Sequence, residues 1–75
     1  MNNKSISSLA ISNSNIFAGT VGDGVYLSTN DGSTWTQTSL NNLTVYSLII
    51  NGNYLFAGTE NGIFLTTNNG LNWIQ

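Results

Sequence analysis

The chain is written twice. Displaced by 39 positions, "SLAISNSNIFAGT" (Ser8–Thr20) lies over "SLIINGNYLFAGT" (Ser47–Thr59). Leu9/Leu48, Ile11/Ile50, Phe17/Phe56, Ala18/Ala57, Gly19/Gly58 and Thr20/Thr59 are identical. One residue drops out where "TVGDG" answers "TENG", and the displacement becomes 38. Gly24/Gly62, Leu27/Leu65, Asn30/Asn68, Gly32/Gly70, Trp35/Trp73 and Gln37/Gln75 then match. A repeat of this period marks an architecture in which each copy is one supersecondary unit and buries its apolar faces by stacking on neighbours.

Each copy reads as four short strands separated by turn chemistry. In the first copy they are Ile6–Ile11, Ile16–Thr20, Val25–Thr29 and Thr34–Thr38. In the second they are Val45–Ile50, Tyr54–Thr59, Ile63–Thr67 and Asn72–Gln75. The intervening turns, "SNSN" and "NGN", "VGDG" and "ENG", "NDGS" and "NNGL", supply the Asn and Gly that tight hairpins need. No helical period survives, because Gly or a β-branched run interrupts every candidate window. "LII", "LFAG", "VYL" and "IFL" are apolar on successive residues, the pattern of strands buried on both faces. Each sheet is therefore expected to sit between two others. The expected fold is all-β: two four-stranded antiparallel β-propeller blades, residues 1–39 and 40–75.

The 75 residues allow one small domain, and a domain of this size buries only about 60% of its unfolded surface. With no Cys or His, neither a disulfide nor a His–Cys metal site staples it. That leaves efficient packing or oligomerisation. Lys4 is the only cation, and Asp23, Asp31 and Glu60 are the only acids. Without a basic patch, binding to nucleic acid or to an anionic membrane is not expected. No apolar run approaches a membrane-spanning length, and "MNNKSISSLAIS" has no continuous hydrophobic block of the secretory kind. The compartment stays open.

Two eight-residue phrases stand out: "STNDGSTW" (Ser28–Trp35) and "TTNNGLNW" (Thr66–Trp73). The first resembles the Asp-box, or BNR, repeat, whose pattern is Ser/Thr-x-Asp-x-Gly-x-Thr-Trp. Ser28, Gly32, Thr34 and Trp35 match it, while Asn30 stands at the Asp position and Asp31 follows. In the second phrase Thr66 takes the place of Ser, Asn68 that of Asp and Asn72 that of Thr; Gly70 and Trp73 match. The resemblance covers both copies and implies a β-propeller with this box at the turn between the third and fourth strands of a blade, away from the ligand face. Its residues suit a structural role. Asn side chains bond nearby backbone, Gly32 and Gly70 allow unusual backbone angles, and the Trp rings pack.

Sialidases share the box, but they hold substrate with arginines, and this chain has no Arg. Tyr26 aligns with Phe64, which reads as packing. Nucleophilic catalysis through His or Cys is excluded. A calcium site at Asp31 and Asn30 has one carboxylate, poor chemistry for that ion; no metal or cofactor is expected. Asp23 and Glu60 are the pair to consider for glycoside hydrolysis. They lie in the turn between the second and third strands, on the expected binding face. With Asn61 and the connector residues Asn41 and Asn42 they form the candidate ligand-binding set. The sequons at Asn3 and Asn42 recur because the repeat does.

Two blades cannot close a ring, and each end of the stack exposes an apolar face. A homo-oligomer is expected: a trimer first, giving six blades, and a tetramer second, giving eight, through head-to-tail contacts. Gln75 would then hand over to the next copy's Asn2, with Met1 in the place of Leu40. The expected function is a non-enzymatic, self-assembling binding or scaffold module with a glycan or protein ligand. The alternatives are a hydrolase with an inter-subunit site at Asp23 and Glu60, and a fragment or designed repeat with no ligand.

Overall fold

The computed structural model describes residues 4–75, so the Asn3 sequon and the Met1–Asn2 junction lie outside the described residues. No helix occurs among them, and therefore none long and apolar enough to cross a membrane. The chain forms two antiparallel sheets. The first contains β1 (Ile6–Ser12), β2 (Asn15–Thr20), β3 (Val25–Ser28) and β4 (Thr36–Gln37) in sequence order. The second contains β5 (Val45–Asn51), β6 (Tyr54–Thr59) and β7 (Gly62–Thr66).

The hairpins follow from local chemistry. The β1–β2 turn places Asn13 at φ 56°, and the β5–β6 turn places Gly52 at φ 63°. Asn and Gly are the residues that tolerate this left-handed region. Pairing registers correspond between copies: Leu9 faces Ala18 as Leu48 faces Ala57, and Ile11 faces Ile16 as Ile50 faces Leu55. Even the irregularity repeats, with a register shift between Ile6 and Ser8 and another between Val45 and Ser47.

One sequence-based expectation is corrected. The fourth strand of the second copy, expected over Asn72–Gln75, shrinks to one bridge between Leu65 and Ile74, with hydrogen bonds of 2.7 and 2.8 Å. The second sheet therefore has three strands. In the first copy the corresponding strand is two residues long rather than five. An edge segment has a partner on one side only, so the box turn that precedes it leaves little length to pair. Within the chain each sheet is covered on one face, and each end of the two-sheet stack stays open, as expected of two stacked blades.

The covered faces meet along β1 and β5. Leu48 donates its backbone N–H to Ser8 Oγ at 3.1 Å, and Ser7 Oγ donates to the carbonyls of Gly19 and Val45. The first sheet contributes Ala10, Phe17, Gly19, Val25 and Leu27; the second contributes Val45, Leu48, Ile50, Leu55, Ala57 and Phe64. Phe17, Val25 and Val45 are almost completely buried, each worth about 1.5–3 kcal/mol. Gly19 leaves no room for a side chain against the second sheet: a Cβ there would stand 2.7 Å from Val45 Cγ1.

The opposite faces are open, and the repeat relates them to the covered ones. Val45, Leu48, Ile50, Leu55, Ala57 and Phe64 have as repeat equivalents Ile6, Leu9, Ile11, Ile16, Ala18 and Tyr26 on the outer face of the first sheet. Ala10, Phe17, Gly19, Val25 and Leu27 have Ile49, Phe56, Gly58, Ile63 and Leu65 on the outer face of the second. Leu48 is 8% exposed where Leu9 is 59%, and Val25 is fully buried where Ile63 is 64% exposed.

Candidate functional site

The two box turns are built the same way. Ser28 Oγ donates to Asn30 Oδ1 at 2.9 Å and accepts from Gly32 N at 2.8 Å. Asn30 Oδ1 also accepts from Thr34 N at 3.0 Å. In the second turn Thr66 Oγ1 donates to Asn68 Oδ1 at 2.8 Å and accepts from Gly70 N at 3.0 Å, and Asn72 N donates to Asn68 Oδ1 at 3.1 Å. Asp31 and Asn69 hold the left-handed position, at φ 60° and 59°. Asn30 adds what a carboxylate cannot: its Nδ2 donates to Thr34 Oγ1 at 2.8 Å. The side-chain oxygens of these turns satisfy backbone donors, which leaves them little capacity for a ligand.

The tryptophans differ. Trp35 Nε1 donates to Gly32 O at 3.1 Å. In the second copy the equivalent carbonyl, Gly70 O, instead accepts from Ser39 N at 3.2 Å and Ser39 Oγ at 3.3 Å. Trp73 Nε1 is buried without a partner among the described residues. The segment after β4 thus docks onto the neighbouring box turn and takes its acceptor.

The ligand set expected from the sequence gathers at the other end of the strands, where the connector between the sheets crosses the β2–β3 and β6–β7 turns. Asp23 accepts from Lys4 Nζ at 3.0 Å, with that ammonium 5.9 Å from the Tyr26 ring centroid. The hydrogen bond and charge of Asp23 hold the Lys4 pKa above its usual value. Any stability from this raised pKa is fully present below the usual lysine value and is lost as pH rises through the raised one. Both side chains are solvent-accessible, so the pair contributes little at neutral pH. Glu60 Oε1 accepts from Thr44 N at 2.7 Å, and Glu60 N donates to Thr44 O at 3.2 Å.

Asn41 belongs to the segment beside Gly24, where Gly24 N donates to Leu43 O at 2.8 Å and Val25 N to Leu40 O at 2.9 Å. Asn42 stands exposed at φ 61°. The carbonyl of Asn61 accepts from Gln75 Nε2. The structure brings Asp23 and Glu60 to the same end of their sheets, Asp23 paired with Lys4 before β1 and Glu60 bonded to Thr44 of the connector. Among the described residues no group of three acids collects there to hold a metal ion.

A cleft of about 720 Å³ opens at the opposite end, between the β1–β2 and β5–β6 hairpins. Asn13, Asn15, Asn51, Asn53, Asn69 and Tyr54 line it, with Phe17 and Leu55 also contributing. No ionisable acid or base is among its lining residues. Reading the sequence missed this site because its asparagines look like turn chemistry. One signal was present: left-handed geometry requires only Asn13 and Gly52, so Asn15, Asn51 and Asn53 exceed what the turns need.

Compared with protein-family models, curated proteins and solved structures, the chain matches none.

Proposed function

We propose that the chain is a self-assembling, non-enzymatic building block of a β-propeller. In this reading each sheet is a blade of the Asp-box type, and identical chains join head to tail into a closed ring that serves as a binding or scaffold module for a glycan or protein. Three chains giving six blades is the first expectation, and four giving eight the second.

One observation carries the reading: the two open faces are the repeat equivalents of the two faces that already pack together inside the chain. The outer face of the second sheet thus suits the outer face of the first sheet in another copy. Ile49 stands where the internal contact has Ala10, and Ile63 where it has Val25, so the contact between chains would bury larger side chains. Leu9 and Ile11 on one open face, and Ile49 and Ile63 on the other, are each more than half exposed, apolar faces that monomers rarely leave in water. The non-enzymatic reading rests on the Asp23 carboxylate being paired with Lys4 and that of Glu60 being bonded to Thr44 N.

Native mass across a dilution series tests the assembly. The expected result is a mass of three or four chains that persists to micromolar concentration. Gly58→Val is the informative variant. Gly58 has an ordinary φ, and the nearest atom to a Cβ there is Ser47 O at 4.0 Å, so the chain keeps its fold. Its equivalent, Gly19, has no room for a Cβ against the facing sheet, so the variant is expected to lower the native mass with the circular dichroism unchanged. A well-folded wild-type monomer at micromolar concentration would overturn the proposal.

A further inference from the structure

We propose that the cleft between the β1–β2 and β5–β6 hairpins binds a neutral saccharide. The cleft lies within one chain and at the end opposite Asp23 and Glu60, so it stands apart from the ring proposed above.

Charge narrows the ligand first. The acids and the lysine of this chain are all absent from the lining. A charged ligand would lose hydration on entry and meet no counter-charge, whereas a neutral one avoids that cost. Hydrogen-bonding capacity narrows it next. The side-chain amides of Asn13, Asn15, Asn51, Asn53 and Asn69 are not engaged in hydrogen bonds with other described residues, unlike those of Asn30 and Asn68. Each amide offers two donors and one acceptor oxygen. Such a group matches a vicinal hydroxyl pair, which also donates and accepts. Ligands with several hydroxyls on a rigid frame engage several amides at once with little ordering cost.

The apolar part of the lining completes the match. Phe17, Ile50 and Leu55 give the cleft an apolar floor beneath its free amides, which suits a sugar ring, whose C–H face is apolar and whose rim is polar. The volume falls in the range of small-molecule sites, with room for more than one sugar unit.

The repeat argues for asymmetry in the site as well. Tyr54 takes the place of Asn15 of the first copy, and Asn53 that of Ser14. The two hairpins therefore present different walls to one ligand: Asn13 and Asn15 from β1–β2, and Asn51 and Asn53 from β5–β6.

The test is a 15N-detected NMR titration of the full chain with lactose, maltose and N,N′-diacetylchitobiose, and with glucuronic acid as the charged probe. At least one neutral disaccharide is expected to shift the side-chain amide signals of Asn13, Asn51 and Asn53 saturably, and glucuronic acid to leave them in place. Asn13→Asp and Asn53→Asp are each expected to weaken binding about tenfold. Val21→Ala, at the exposed far end of the sheets, leaves it unchanged. Two outcomes overturn the proposal: no saturable shift with any of the three disaccharides up to about 10 mM, or equal shifts in both cleft variants. Because the cleft is formed inside one chain, a monomeric mass leaves this result interpretable, and loss of saccharide binding leaves the assembly measurement intact.

Discussion

Trp35 and Trp73 occupy the same place in the two copies, yet only one indole N–H is satisfied. Trp35 keeps the Gly32 carbonyl, while Ser39 has taken the Gly70 carbonyl from Trp73. A buried donor without a partner costs about 1–3 kcal/mol, and a made hydrogen bond contributes about 1 kcal/mol. Replacing each ring by Phe changes the polar contributions in opposite directions, by more than the extra core packing that Trp73 loses. Trp35→Phe is therefore expected to destabilise the chain by at least about 1 kcal/mol more than Trp73→Phe in denaturant unfolding. Equal losses would mean that Trp73 has an acceptor in solution. The same residue scale explains the tolerance of Asn at the box's acidic position. Asn30 supplies an acceptor for Thr34 N and a donor for Thr34 Oγ1, both within a five-residue turn. No carboxylate is needed to close it.

At the scale of elements, the β2–β3 turn shows how tightly the connector is fitted. Gly24, at φ 75°, lies so close to Leu40 and Asn41 that a Cβ would overlap the Leu40 carbonyl oxygen. Gly22 in the same turn, at φ 89°, has nothing within 4 Å of such a Cβ. Gly22→Ala carries backbone strain alone, about 1 kcal/mol. Gly24→Ala adds a backbone clash and is expected to cost upwards of about 3 kcal/mol, read as a shift in the urea midpoint. The elements also show what a sequence records. Four hairpins were legible, β1–β2, β2–β3, β5–β6 and β6–β7, because turn residues and apolar runs lie within a few positions of each other. The pairing of "NWIQ" was not, since a terminal segment with one partner strand has no local signal for its length. Apolar residues on successive positions announced two apolar faces. They gave no indication of which face its own chain covers, and that depends on residues some 40 positions apart. The cleft escaped for the same reason, with Asn13 and Asn53 meeting only once the sheets stack.

The whole molecule presents two open apolar faces that differ from each other. Ile6, Leu9, Ile11, Ile16, Ala18 and Tyr26 form one; Ile49, Phe56, Gly58, Ile63 and Leu65 form the other. If they join as proposed, every contact has a direction, and any unfinished assembly keeps one face of each kind at its ends. Growth can stop only when the last chain meets the first. A copy with one spoiled face is then a chain terminator: it adds to an end through its good face and offers nothing to the next arrival. Mixed with wild type before assembly, a small fraction of Leu9→Glu chains is expected to deplete complete rings out of proportion to its share, because one such copy breaks every ring it enters. Native mass spectrometry of a mixing series reads this directly, and a strictly proportional loss would speak against directional growth. The doubling that makes the sequence repetitive would thus make its assembly polar, intolerant of single defects and complete only as a whole.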